Sequence, residues 1–300
     1  MIDVGKFELA RSMLQELTFS AATEEFLRCG VDFDENQMRT LGILGVDGLY
    51  TNLGLLISDQ CLHSIKIAVY SGTKKGEFRT RKEIGGSVFK QMRVAFDFLQ
   101  LSNNLAATIS GLDRIEQYDY PEEIIREALL NVIIHRDYGF SGSSIVNLYD
   151  DRAEFVSLGG LMPGLSKEDL FLGISQPRNE KLVNIFYRLK FVEVYGTGLR
   201  RIMQQYEDLQ EKPIINATHG AFMLVVPNMN YVRPINVRNP VKQQHRVILE
   251  YLKSNSFVTK ETIQELLSVK QTRAYAIIRE MVVEGLIVKK GSSKMELANK

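Results

Sequence analysis

Tyr120–Tyr138, YPEEIIREALLNVIIHRDY, decides how the rest of the chain is read. Pro121 suits the first turn of a helix, and the spacing of Asp119 and Glu122 predicts a capping box. From Ile124 the segment is apolar on nearly every side, through Ile125, Ala128, Leu129, Leu130, Val132, Ile133 and Ile134. A helix of that kind is normally buried. Glu127, Asn131 and His135 nevertheless recur every four residues and form one polar stripe along it. An unpartnered buried carboxylate is costly, so the stripe must face a polar site, water or a cation, unless it closes into a satisfied core network.

Three hundred residues suggest about two domains with enough chain for a substantial core. The net charge of +1 divides unevenly along the chain. Residues 241–300 carry eleven basic and six acidic side chains, a balance of +5, while the remaining 26 basic and 30 acidic give the body −4. The tail is therefore basic and the body mildly acidic. Two cysteines, Cys29 and Cys61, exclude a disulfide framework and lack metal-ligand spacing. They read as reduced thiols of a cytoplasmic protein. No apolar run approaches the ~20 residues needed to span a membrane, and no signal-peptide pattern opens the sequence.

Upstream of the opening stretch, residues 1–112 read as a mixed α and β segment without recognisable chemistry. Helices are expected over 8–17, 21–28 and 87–100, a strand over 64–70, and a solvated charged loop over 71–86. Downstream, residues 113–226 continue with strands over 144–149 and 153–158 about an Asp150-Asp151 turn, then a glycine-rich loop, Gly159-Gly160-Leu161-Met162-Pro163-Gly164. Helices follow over 166–170 and 177–189. Residues 191–195 lead into Gly196-Thr197-Gly198, which opens a helix over 199–209, and a strand covers 221–226. Residues 227–240 hold three of the seven prolines and four asparagines, a linker composition. Residues 241–300 then give helices over 243–253, 259–267 and 269–284 and strands over 287–290 and 294–297 around Gly291-Ser292-Ser293, which is winged-helix order.

Glu127 and Asn131 form E-x-x-x-N, with one glycine loop about thirty residues on and another about thirty-five beyond that. This order resembles the GHKL ATP-binding fold of gyrase B, heat-shock protein 90, histidine kinases and MutL. More closely, E-A-L-L-N-V-I-I-H-R-D-Y, G-G-L-M-P-G, P-R-N and Y-G-T-G-L-R-R-I resemble the RecG-like transcriptional regulators, which join a divergent version of that domain to a C-terminal winged helix. The chain is similar to them strongly over 120–226 and loosely over 241–300; set against longer members, the resemblance implies that most of their AlbA-like, schlafen-type domain, which precedes this segment, is not within these residues. The resemblance implies an α+β fold, a GHKL-like two-layer α/β sandwich followed by a winged helix-turn-helix. It implies ATP and Mg²⁺ as cofactors, with Asn131 as the Mg²⁺ ligand and Glu127 activating water where hydrolysis occurs. Gly160, Gly164, Gly196 and Gly198 would frame the nucleotide. One departure stands out: the superfamily's first glycine motif carries an Asp that accepts the adenine amino proton, and residues 157–164 contain none. A missing acceptor in a buried base pocket weakens selection for adenine by several kcal/mol.

Two other chemistries are excluded. No G-x-x-x-x-G-K-[ST] phosphate loop occurs, so a helicase motor does not fit. His135-Arg136-Asp137 suggests a kinase catalytic loop, but Gly142 stands where that signature needs Asn and no D-F-G follows. His135 lacks a second ligand at metal spacing and reads as an orienting or packing residue. In the tail, Ala274, Ile277, Ile278, Met281 and Val282 form the expected buried face of the third helix. Thr272, Arg273, Tyr275 and Arg279 on that helix, with Lys289, Lys290 and Lys294 in the hairpin, suit duplex DNA; a protein-interaction module or a merely solvated basic face is the alternative. The expected protein is therefore a DNA-binding regulator, paired on its operator as a homodimer, whose central domain senses a nucleotide or another anion. A Mg²⁺-dependent ATPase and a ligand-free dimerisation scaffold are the rival readings.

Overall fold

Helix formation around the opening stretch follows its apolar surface, because every large side chain from Ile124 to Ile134 other than those of the polar stripe and Arg126 is removed from water. The computed structural model describes residues 6–174, 176–193, 196–231, 243–290 and 294–297. The chain divides into two units, Met1–Val232 and Arg233–Lys300. In the first, helices α1 (Lys6–Leu9), α2 (Ser20–Arg28), α3 (Glu35–Leu41) and α4 (Asn52–Ile57) precede strands β1 (Ile65–Tyr70) and β2 (Phe78–Ile84). Helix α5 (Val88–Leu101) and a hairpin of β3 (Leu105–Ser110) and β4 (Asp113–Tyr118) lead into α6 (Glu122–Ile134). Then come β5 (Ser144–Leu148), β6 (Arg152–Leu158), α7 (Lys167–Phe171), α8 (Glu180–Arg188), α9 (Gly198–Gln205), β7 (Ile214–Ala217) and β8 (Ala221–Pro227).

Six strands make one mixed sheet in the order β2-β1-β5-β6-β8-β7. Only β1 and β5 run parallel; the other neighbours are antiparallel. Alternation sets the faces: Ala153, Phe155 and Ser157 of β6 are buried, and Arg152, Glu154, Val156 and Leu158 are only partly so. Helix α5 lies against β1 and β2, and α6 against β6, α5 and α9. The core contains Ile124, Leu129, Val146, Phe155, Phe186 and Tyr206, all at most 2% exposed. Each such side chain contributes about 1.5–3 kcal/mol of transfer free energy. Residues on both sides of position 112 share this sheet and core.

Several local expectations are corrected. Pro121 is the N-cap of α6 and makes no side-chain cap, so the predicted capping box is absent. Asp119 instead accepts from the Asn104 and Asn230 amides at 2.8 and 3.0 Å. The helix expected over 8–17 ends at Leu9, because the next segment is drawn to the chain around Tyr50, with Ser12 N donating to Tyr50 O at 2.9 Å. The charged loop 71–86 contains β2, an edge strand whose residues are exposed except Ile84 and so carry no alternating apolar signal. The helix expected over 177–189 begins only at Glu180, since Pro177 to Asn179 run into it as irregular chain. Likewise the helix expected over 199–209 ends at Gln205.

The second unit contains α10 (Gln243–Ser254), β9 (Val258–Thr259), α11 (Lys260–Leu267), α12 (Gln271–Val283), β10 (Ile287–Lys290) and β11 (Lys294–Leu297). Its three strands are ordered β10-β11-β9 and antiparallel. Ile248, Leu252, Ile263, Ala274, Ile277, Met281 and Ile287 form its own core. Val282 was expected on the buried face of α12 but is 40% exposed, one position off the Ala274–Ile277–Met281 line. Most of the linker expected over 227–240, Tyr195 and the turn at 291–293 lie outside the described residues. No helix among the described residues is long and apolar enough to cross a membrane.

Candidate functional site

Helix α6 turns its polar stripe into a cleft, and Glu127, Asn131 and His135 all line it. The cleft holds about 170 Å³ accessible to water and is walled by Leu130, Ile134, Leu161, Met162, Leu199 and Phe222. His135 lies eight positions after Glu127, so the stripe extends ~12 Å along the helix axis. Its two ends differ in chemistry.

At the α9 end, Gly198 sits directly over Glu127, since a Cβ there would lie 2.6 Å from Oε2 of that carboxylate. Arg126 donates to the other oxygen of Glu127 at 2.6 Å and also reaches the carbonyl of Phe191. Burial raises the pKa of Glu127 above the usual carboxylate range, against the lowering effect of Arg126 and Arg201. Glu193 accepts from Arg201 at 2.5 Å and from Thr197 Oγ1 at 3.2 Å, and all three side chains line the cleft. Gly196 adopts φ +64 just before this turn, which favours glycine.

At the other end, Gly160 is demanded by packing. A Cβ there would lie 2.0 Å from Thr218 O, and its N–H donates to His219 O at 3.2 Å. Arg178 donates to Gly160 O at 3.0 Å and to Asp137 at 3.2 Å, while its Nε is buried with no partner among the described residues. Asn179 donates to the carbonyls of Ile134 and Arg136, both at 2.7 Å, and so satisfies orphan acceptors at the end of α6. Burial, with the Arg178 charge, lowers the His135 pKa to about 4, so its imidazole is neutral at pH 7. Gly164, with φ +89, is a turn glycine that does not line the cleft.

Between the ends, Asn131 has a buried Nδ2 with no hydrogen-bond partner among the described residues. An unmade hydrogen bond of this kind costs about 1–3 kcal/mol. Because a carboxamide can turn over, the position can present either a donor or an oxygen to a ligand. No group of three or more His, Cys, Asp or Glu among the described residues could hold a metal by itself. Mg²⁺ often takes only one or two protein oxygens and completes its shell with phosphates and water, and Asn131 with Glu127 could serve it in that way. Sequence spacing alone does not point to Arg178, Arg201, Glu193 or the apolar walls, although Arg178 lies within P-R-N and Arg201 within Y-G-T-G-L-R-R-I.

In the second unit the exposed side of α12 forms a shallow groove lined by Gln271, Thr272, Tyr275, Ala276, Arg279, Glu280 and Val283. Thr272, Tyr275 and Arg279 therefore share one face. Arg273 does not line it: it donates to Gln244 at 3.0 Å and lies 3.8 Å from Glu280. Lys289, Lys290 and Lys294 are exposed on the β10–β11 hairpin, with Lys290 paired to Glu296 at 2.7 Å and Lys294 over the Phe257 ring at 4.2 Å.

Residues 142–226 match a family model described as "Putative ATP-dependent DNA helicase recG C-terminal", an HATPase-type domain. Among solved structures, the chain resembles the DIP2311 protein from Corynebacterium diphtheriae, with a TM-score of 0.65 at 18% identity. That likeness covers 97% of this chain and 64% of the other, so the chain spans less than two thirds of that protein's length. No curated protein matches. The family match takes in the chain from β5 to β8 with both glycine loops, while β1, β2 and α6 with Glu127, Asn131 and His135 lie outside it; the structural likeness extends to the fold alone.

Proposed function

We propose that the chain is a cytoplasmic transcriptional regulator in which a nucleotide, held with Mg²⁺ in the α6 cleft, controls DNA binding by a winged helix in the second unit. The observation that carries this reading is the Asn131 amide, buried without a partner among the described residues in a cleft that two glycine loops flank. Asn131 and Glu127 would hold the ion. Mg²⁺ when bound neutralises phosphate charge, and backbone N–H groups where α9 begins would favour the phosphates. Gly196 and Gly198 permit that close approach, Gly160 shapes the opposite wall, and Gly164 acts only through its turn. Glu127 is held by Arg126 rather than left ready as a base, which supports sensing over rapid hydrolysis.

The order of three helices and a three-stranded sheet in the second unit, with the basic balance of the tail, supports duplex DNA as its partner. Thr272, Tyr275 and Arg279 are assigned to the groove and Lys289, Lys290 and Lys294 to phosphate. Two half-sites would be read by a homodimer. The test is thermal stability of the full chain with Mg²⁺ and a panel of nucleotides. Ligand bound at 100 times its Kd should stabilise by about 2.7 kcal/mol. Asn131→Ala should remove that stabilisation and fold normally; a panel that leaves wild type unmoved overturns the reading.

A further inference from the structure

The two ends of the cleft differ in what they can offer a ligand. Both carboxylates that line it, Glu127 and Glu193, lie at the α9 end, each tied to an arginine. At the Gly160 end the charged lining group is Arg178, a pure donor, and Gln176 stands exposed beside it. The nearest carboxylate, Asp137, is taken up by Arg178 and by the Gly139 N–H at 2.9 Å. Among the described residues, two of the five guanidinium N–H groups of Arg178 are used, by Asp137 and by Gly160 O, and Nε is buried without a partner. A ligand group placed there gains by accepting hydrogen bonds and loses by offering them. Leu161 and Met162 next to Gly160 supply apolar surface for a flat ring.

Purine nucleotides differ at that edge. Guanine and hypoxanthine present O6 and N7, both acceptors, which suit a guanidinium fork; adenine presents an amino group in place of O6. Resting on the nucleotide reading above, we infer that the cleft selects a 6-oxopurine nucleotide over adenine, with Arg178 as the specificity-determining residue. His135, neutral beside Arg178, does not add a second cation there. A site built to hydrogen-bond one group rejects an analogue that leaves its buried donor unpaired.

Isothermal titration of the full chain with Mg²⁺ and GTP, ITP or ATP tests this. GTP and ITP should bind at least ten-fold more tightly than ATP, with ITP close to GTP because O6 and N7 are shared. Arg178→Ala should bring all three nucleotides to similar affinity. Arg178→Lys, which keeps a cation to pair with Asp137, should reduce the preference and guards against misfolding of the alanine variant. ATP binding as well as or better than GTP overturns the inference and leaves the nucleotide reading standing. A GTP preference that survives both substitutions also overturns the assignment of Arg178. Failure of every nucleotide to bind removes both.

Discussion

Three glycines of the cleft region should respond differently to alanine, because each is glycine for a different reason. At Gly160 the new Cβ would meet Thr218 O at 2.0 Å and His219 O at 3.0 Å, both backbone atoms. Relief requires the 218–219 backbone to move by about 1 Å, and overpacking of that kind costs about 1–3 kcal/mol. The move also strains two hydrogen bonds, Gly160 N to His219 O at 3.2 Å and Gly159 N to Gly220 O at 2.9 Å, each worth about 1 kcal/mol. Gly160→Ala should therefore lose about 3–5 kcal/mol, or roughly 6–20 °C in Tm for a unit of this size. At Gly198 the Cβ would instead meet a carboxylate oxygen of Glu127 at 2.6 Å, the far end of a side chain that can swing away. Helix propensity favours alanine there by up to about 1 kcal/mol, so stability should hold while Glu127 is displaced and Mg²⁺-nucleotide stabilisation falls. Gly164, with open space around it, should cost only the strain of φ +89, about 1–2 kcal/mol. Urea unfolding of the full chain, followed by circular dichroism, ranks the three. A Gly160→Ala midpoint equal to wild type, or equal damage at Gly160 and Gly198, would refute the reasoning.

Glu127→Gln should change the pH profile of stability. The folded-state pKa of Glu127 is raised, so its contribution is full below the ordinary value of 4.5 and is lost as pH rises through the folded value. The glutamine variant should therefore gain on wild type between pH 4.5 and pH 7.5 in urea midpoints; a constant gap would contradict the burial of that charge. Arg279→Ala should weaken DNA binding by about 1–3 kcal/mol in fluorescence anisotropy, whereas Arg273→Ala, whose side chain is turned to Gln244 and Glu280, should change it little. Equal losses at the two positions would place the interface elsewhere on the second unit.

The elements legible in the sequence were those with a buried stripe. Helices α5 and α6, strands β5, β6 and β8, and the helices of the second unit all carry apolar periodicity that burial demands. The elements missed have no such signal. Strand β2 and the β3–β4 hairpin expose nearly every residue, and α3 and α4 are only seven and six residues long. The stripe of Glu127, Asn131 and His135 could be placed because helical spacing alone brings the three together. Arg178 and Glu193 could not, since what carries them to the cleft is the packing of chain segments around α8 and α9. Gly164 shows the opposite error, a glycine of the motif whose role is its own backbone angle.

The H-R-D-Y and P-R-N runs serve chiefly to hold the end of α6 in place. Arg136 is 2% exposed and donates to Ser144 Oγ and Phe140 O, each at 3.1 Å, and to the carbonyl of Gly142. Tyr138 donates to Ile133 O at 2.8 Å, and Asp137 N donates to Leu158 O at 2.8 Å. Asn179 donates to the carbonyls of Ile134 and Arg136 from the other side. A ligand-free scaffold would need all of these, so they do not discriminate between the readings. What such a scaffold would not need is an Asn131 amide without a partner among the described residues, at about 1–3 kcal/mol, or a carboxylate at Glu127 kept buried at a raised pKa. An apolar residue at either position would remove the cost. Groups that destabilise the empty protein and face one cleft are expected where a ligand supplies their partners, and on that ground binding is ranked above scaffolding.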